Sequence, residues 1–271
     1  EFSMKRLLKL LSHVVLWCIG GALFTAFVGI SVYKNHVEAL PGNFGKTAAV
    51  SNILLAGEKR TVRKSQRSAV QVASISPDKM SLSTSSGTYI VLDGKYYVLT
   101  VNHGINGPCA HTKVLVGGDF YPCKRYVASN AENDYMVMEV GEIPGREAVE
   151  IPKRIINFKQ WKQAFAVMNR VFYTGYPNRR GPFTFDGKIV GYSDRGMFVI
   201  NSFAWGGSSG SGVFTHDGIF IGYVVALDIG VTEFGPDVLE DIVIVMPIFR
   251  VDWVAVRKAA QEGGEIDGQE D

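Results

Sequence analysis

Apolar positions are distributed along the chain in two distinct ways. Near the N-terminus, residues 14–30 (VVLWCIGGALFTAFVGI) are 17 consecutive uncharged, almost entirely apolar positions, and Leu10, Leu11 and Val32 extend them toward the roughly 20 residues that cross a bilayer. Lys5, Arg6 and Lys9 precede this run, and Lys34, Glu38 and Lys46 follow it. The basic excess on the N-terminal side predicts one span with the N-terminus inside; a cleaved secretory signal, for which the run is long and lacks a small-x-small site, and a buried or interfacial helix are the alternatives. After residue 68 the pattern changes to short β-prone segments divided by Gly, Pro, Asn and Asp. A first series reads AVQVASI (69–75), GTYIVLDG with its return KYYVLTV (87–101), KVLVGG (113–118), KRYVAS (124–129) and DYMVMEV (134–140). A second reads QAFAVMNRVFYTG (163–175), GKIVGYS (187–193), GMFVINS (196–202), SGVFTH (211–216), GIFIGYVVALD (218–228) and DIVIVMP (241–247). Short strands at this spacing favour closed or sandwiched antiparallel sheets over βαβ units, so two β modules are expected. Past Pro247, IFRVDWVAVRKAAQE supplies enough apolar surface for a C-terminal helix.

The composition leaves these divisions intact. A chain of 271 residues with 46% hydrophobic and 20% charged positions can bury one large core or two small ones. Lys plus Arg number 28 against 26 acids, a net charge of +2, which gives no overall reason to expect a nucleic-acid partner. Locally the charge is polarised. Residues 58–67 (EKRTVRKSQR) hold five bases, and the tail EGGEIDGQED holds five acids. No glycine-rich phosphate loop with its lysine occurs, so nucleotide chemistry is not expected and no cofactor is implied.

Of the three cysteines, Cys18 lies in the apolar run, whereas Cys109 and Cys123 bracket KVLVGG with 13 residues between them. These two would close a small loop in an oxidising compartment. Adding His111 or His103 to make a zinc site lacks the paired C-x-x-C spacing, so no metal is expected.

The reactive candidates lie at strand ends. His103 follows the apolar strand in YYVLTVNHGI, Asp134 opens DYMVMEV 31 residues later, and the turn Gly207-Ser208-Ser209-Gly210-Ser211-Gly212 stands between two strands of the second series. Amide hydrolysis needs a nucleophile, a proton acceptor and fixed donors for the developing oxyanion. A serine hydroxyl is weak alone, so an imidazole must take its proton while a carboxylate fixes the tautomer. These components are present in the order His, Asp, Ser. Asp119 and Glu132 are rival acids better suited to solvation, and His111 and His216 read as loop residues.

LTVNHG resembles the catalytic-histidine segment of trypsin-like serine proteases, DYMVMEV their aspartate strand, and GGSSGSGVF their nucleophile segment; DGIFIGYVVA resembles the hairpin walling the substrate cleft. The similarity covers about residues 70–257 and is closer to compact viral or bacterial members than to digestive enzymes. The resemblance implies an all-β fold of two six-stranded antiparallel β-barrels with the site between them, and a C-terminal helix. It implies His103 as general base, Asp134 as its orienting carboxylate and Ser209 as nucleophile, with Gly207 and Ser209 N–H groups as the oxyanion hole. Among the three serines of the turn, only Ser209 has Gly at both family positions, minus two and plus one. Ser208 replaces the aspartate that precedes the nucleophile in digestive enzymes, which implies that no new N-terminus need insert for activity.

Phe203, Ala204 and Trp205 before the nucleophile, and Tyr223, Val224, Val225 and Ala226 after it, are candidate cleft residues, although the same side chains would serve as barrel core. No acid aligns with the pocket base near Phe203, which disfavours a Lys or Arg preference and points to a small or apolar residue.

The sequence therefore predicts a membrane anchor (1–33), a basic linker (34–68), a first barrel (69–145), a connection (146–165), a second barrel (166–247), a helix (248–261) and an acidic tail (262–271). The expected protein is a membrane-tethered serine endopeptidase, held in the bilayer through residues 10–32 with its protease domain on the non-cytoplasmic side. Its partners would be a polypeptide substrate, itself or a membrane or assembly protein, and the lipid; no nucleic acid is expected. The alternative is a noncatalytic protease-like binding module.

Overall fold

The computed structural model describes residue 13 and residues 56–152, 164–193, 195–232 and 235–263. The chain divides into two units, Glu1–Leu54 and Leu55–Asp271, and every described strand belongs to the second. That unit opens with helix α1 (Ala56–Ser68), followed by β1 (Ala69–Ile75), β2 (Leu82–Leu92), β3 (Lys95–Thr100), β4 (Thr112–Val116), β5 (Asp119–Pro122), β6 (Arg125–Asn130), β7 (Tyr135–Glu139) and β8 (Val149–Glu150). The second series comprises β9 (Arg170–Gly175), β10 (Phe183–Tyr192), β11 (Phe198–Asn201), β12 (Gly212–Thr215), β13 (Phe220–Thr232) and β14 (Gly235–Pro247), before helix α2 (Trp253–Glu262).

The second series closes into a six-stranded barrel, ordered β10-β11-β14-β13-β12-β9. The first series does not close. Its sheet runs β5-β4-β1-β2-β3-β7-β6, with β8 added parallel to β2. The expectation of two six-stranded barrels is thus corrected to one closed barrel and one open sheet. The two ends of this sheet are β5, which takes the outer edge of β4, and β6, which pairs with β7, and among the described residues no ladder joins them. Side chains bridge the gap instead. Tyr126 Oη on β6 lies 2.6 Å from Thr112 Oγ1 on β4 and donates to Gly107 C=O at 2.8 Å. The Cys109–Cys123 disulfide, with Cα atoms 5.3 Å apart, ties the same region.

Strands β3 and β7 are buried on both faces, and the two-residue period of a strand sorts their side chains into two cores. Val98, Met136 and Met138 pack in the core of the open sheet. Tyr97, Leu99, Tyr135 and Val137 join the apolar cluster that continues into the closed barrel through Tyr173, Val213 and Tyr223. The two β modules therefore share a core at the boundary where the site is found. Helix α2 packs on β6. Asp252 caps it by accepting from Val254 and Ala255 N–H, and Arg125 donates to the carbonyls of Ala259 and Ala260, both at 3.1 Å.

The described part of the 34–68 segment is helix α1, lying on the closed barrel. Its buried face is polar, with Thr61, Ser65 and Ser68 almost inaccessible. Thr61 Oγ1 donates to His216 C=O at 3.0 Å, Lys64 Nζ to Gly218 C=O at 2.9 Å and Ser65 Oγ to Thr174 Oγ1 at 2.9 Å. Burial holds the Lys64 ammonium below its usual pKa.

The membrane reading is also corrected. Residues 10–32 lie outside the described residues, His13 excepted, and among the described residues no helix is long and apolar enough to cross a membrane. Helices α1 and α2 have 13 and 10 residues, short of the roughly 20 required. The expected bilayer partner and single-pass localisation with a non-cytoplasmic domain are accordingly not supported.

Candidate active site

His103 sits in a single 3-10 turn, Asn102–Gly104, directly after β3. Asp134 occupies the β6–β7 turn in the left-handed region at φ +48°, an uncommon conformation for a residue with a Cβ. That turn is held from two sides. Asn133 N–H donates to Asn130 Oδ1 at 2.7 Å, and Tyr223 Oη from the closed barrel donates to Asn133 C=O at 2.7 Å. The carboxylate then meets His103 twice. Its Oδ1 accepts the His103 backbone N–H at 3.0 Å, and its Oδ2 lies 2.7 Å from Nδ1. This places the remaining ring nitrogen, Nε2, on the far side of the imidazole. The His103 side chain is 55% exposed and that of Asp134 22%, so the pair opens to solvent on the histidine side. The hydrogen bond to Asp134 holds the imidazole pKa above its usual value, with partial burial opposing and the carboxylate charge assisting.

The turn at residues 207–212 distinguishes its three serines. Ser208 is buried, its Oγ accepting Trp205 N–H at 3.2 Å. Ser211 is buried, its Oγ donating to Ser208 C=O at 2.6 Å. Ser209 alone is half-exposed, and its Oγ donates weakly to Val225 C=O at 3.3 Å. Among the described residues no hydrogen bond joins Ser209 to His103.

Backbone groups around Ser209 are tied outward by their carbonyls. Gly206 C=O accepts from Asn178 N–H at 2.7 Å, Gly207 C=O from Ser86 Oγ at 2.7 Å and Ser209 C=O from Ser86 N–H at 2.8 Å. Among the described residues the N–H groups of Gly207 and Ser209 donate to nothing. Gly210 is required at φ +90°, where a Cβ would stand 2.0 Å from Ser86 C=O.

The cleft candidates separate into two groups. Phe203 and Trp205 are 44% and 49% exposed, with ring centroids 6.4 Å apart, and Phe185 lies 5.6 Å from Phe203. Ala226 is exposed. Ala204, Tyr223, Val224 and Val225 are buried, so their side chains pack in the core; Val225 reaches the site through its carbonyl and Tyr223 through the Asp134 turn. A polar cavity of about 390 Å³, lined by Arg170, Asp186, Lys188, Asn201, Phe203 and Asp241 among others, meets this group only at Phe203. The sequence reading missed Ser86 and Asn178. Ser86 lies in the polar stretch LSTSSG, where no apolar alternation marks a strand, and the only available signal was its place just upstream of GTYIVL.

The family model for trypsin-like peptidase domains matches residues 85–222. Among solved structures, the chain is similar to a serine endoprotease from Yersinia pestis, with a TM-score of 0.56 and 20% identity over 76% of this chain and 67% of that one, a likeness of fold. No curated protein matches the chain. With the family model spanning His103, Asp134 and Ser209 and more than half of the sequence, the chain belongs to the trypsin-like peptidase domain family.

Proposed function

We propose that the protein is a serine endopeptidase in which His103, Asp134 and Ser209 act together. The observation that carries this reading is the two-point grip of Asp134 on His103, combined with a turn in which Ser209 is the one half-exposed serine. Asp134 fixes the Nδ1–H tautomer, so Nε2 is free to accept a proton. Ser209 Oγ attacks the scissile carbonyl as its proton passes to Nε2. The carbonyl π bond opens to an oxyanion, which the N–H groups of Gly207 and Ser209 stabilise. Collapse of this intermediate breaks the C–N bond while the imidazolium returns its proton to the leaving amine. Water then attacks the acyl-enzyme by the same route, releasing the acid and restoring Ser209. Such donors contribute about 3–4 kcal/mol to the transition state.

The exposed rings of Phe203 and Trp205 support a small or apolar residue before the scissile bond. Digestion of a mixed peptide library by wild-type protein and by S209A, with product termini read by mass spectrometry, tests both points. The expected result is serine-dependent cleavage after small or apolar residues. Cleavage retained by S209A would overturn the mechanism, and dominant cleavage after Lys or Arg would overturn the preference.

A further inference from the structure

Ser86 lies where β2 passes under the nucleophile turn, and the strand registers explain why. Strand β3 pairs with β2 only as far back as Thr88 opposite Leu99. The earlier part of β2 pairs with β1 on one edge and has its other edge open to the turn. Ser86 N–H uses that edge, donating to Ser209 C=O at 2.8 Å. Its Oγ donates to Gly207 C=O at 2.7 Å and accepts Tyr176 N–H at 2.8 Å. Its own C=O accepts from Thr100 Oγ1 at 2.7 Å. The residue is wholly buried, and all its polar groups are engaged.

These bonds bear on the orientation of the oxyanion donors. A trans peptide points its C=O and N–H to opposite sides. Holding Gly206 C=O on Asn178 N–H therefore turns Gly207 N–H the other way. Gly207 sits at φ +96° and has no Cβ to resist rotation, so its peptides keep their orientation only while their carbonyls are tied. Ser86 secures both anchors. It binds Gly207 C=O directly, and through Tyr176 N–H it fixes the start of the Pro177–Arg179 turn that carries Asn178. That turn itself is strained, with Asn178 and Arg179 both left-handed at φ +50° and +61°.

We infer that Ser86 is a positioning residue for catalysis: its hydroxyl holds Gly207 C=O and, through Tyr176 N–H, the turn whose Asn178 anchors Gly206 C=O, so that Gly207 N–H is aimed at the developing oxyanion beside Ser209 N–H, whose own peptide is tied through Ser208 C=O to Ser211. The inference rests on Ser209 being the nucleophile. It implies that loss of the hydroxyl slows the chemical step and leaves reagent binding largely intact.

A fluorophosphonate probe reads this without knowledge of the natural substrate. Ser209 Oγ bonds to phosphorus, the P–F bond breaks, fluoride leaves, and the hydroxyl proton passes to His103. Negative charge gathers on the phosphoryl oxygen, where the two N–H groups act. Inactivation at several probe concentrations separates the maximal rate, kinact, from the half-saturation concentration, KI. S86A is expected to lower kinact about 10- to 100-fold, below the loss for removing a donor outright, with KI changed less than about threefold. S86T, which keeps a hydroxyl, is expected to recover most of the rate. A kinact for folded S86A within about twofold of wild type would overturn the inference, as would folded S86T as slow as S86A. Should S86A fail to fold, S86C takes its place, since a thiol is a weak donor of similar size, and the same rate criteria apply. Wild-type protein left unlabelled would overturn the Ser209 assignment itself, whereas labelled wild type with unaffected S86A would overturn the role of Ser86 alone.

Discussion

Asp134 holds His103 by both carboxylate oxygens, one on the backbone N–H at 3.0 Å and one at Nδ1 at 2.7 Å. The first contact sets where the residue sits and the second sets which way the ring faces. A single acid at the head of β7 thereby sets both the position and the ring orientation of His103, and the consequences for the proposed role of His103 as base are measurable.

The hydrogen bond to Asp134 raises the His103 pKa, so proton acceptance by the neutral ring begins at a higher pH than for a free imidazole near 6.5. Activity should rise with pH through an acidic limb whose midpoint lies above that value. The stability linkage runs the opposite way: stabilisation by the protonated pair is complete below the unfolded pKa and is lost as pH rises through the folded one. D134N should lower the midpoint and reduce kcat by about 10⁴-fold, as loss of the orienting acid does in a related geometry. A pH–rate profile of both proteins checks this, and an unchanged midpoint in D134N would contradict it.

Tyr223 supports the same turn from the other module. Its hydroxyl donates to Asn133 C=O at 2.7 Å and is wholly buried. Y223F would leave that carbonyl without its partner at a cost of about 1–3 kcal/mol, or roughly 2–4 °C in Tm per kcal/mol for a domain of this size. Because the turn carries Asp134, kcat should fall as well. Thermal melts and steady-state kinetics on the one variant test the two effects together.

The Cys109–Cys123 bridge closes a short loop where the open sheet lacks a ladder between β4 and β6. A loop of about 15 residues contributes about 3 kcal/mol in the chain-entropy account. The C109S/C123S double variant should melt at a lower temperature than wild type under oxidising conditions. In reducing buffer the difference should vanish, which a pair of melts would show.

Helix α1 contributes through hydrogen bonds rather than apolar burial. Ser65 Oγ donates to Thr174 Oγ1, which keeps a second contact with Thr184 Oγ1 at 3.0 Å. S65A should therefore cost only about 1 kcal/mol. T61V, which removes the donor to His216 C=O, should cost about the same, and the double variant should sum the two if the sites are independent. Urea denaturation gives each value.

How far the sequence discloses this molecule depends on where the partners of each residue lie. The strands next to His103 and Asp134 are legible because apolar runs such as YYVLTV and YMVME announce themselves by content. The N-terminal half of β2 is not, since LSTSS pairs with β1 on one edge while Ser85 and Ser86 find further partners in Thr100 and in the turn around Ser209. Helix α1 escapes a hydrophobic reading because Thr61, Ser65 and Ser68 are buried by hydrogen bonding. Tyr223 looks like cleft wall by order along the chain, yet strand alternation turns its ring into the shared core. Barrel closure is invisible for a similar reason, as the short β5 that occupies the edge of β4 is encoded only by DFYP.

The proposed peptidase chemistry turns on Ser209 being the nucleophile activated by His103. The most direct test is fluorophosphonate labelling of folded wild-type protein, S209A and H103A, followed by peptide mapping. The expected result is a single adduct on Ser209 in the wild type, none in S209A, and labelling slowed at least about 10³-fold in H103A, in line with loss of a triad base. An adduct that persists in S209A, or a folded wild-type protein that takes no label, would contradict it.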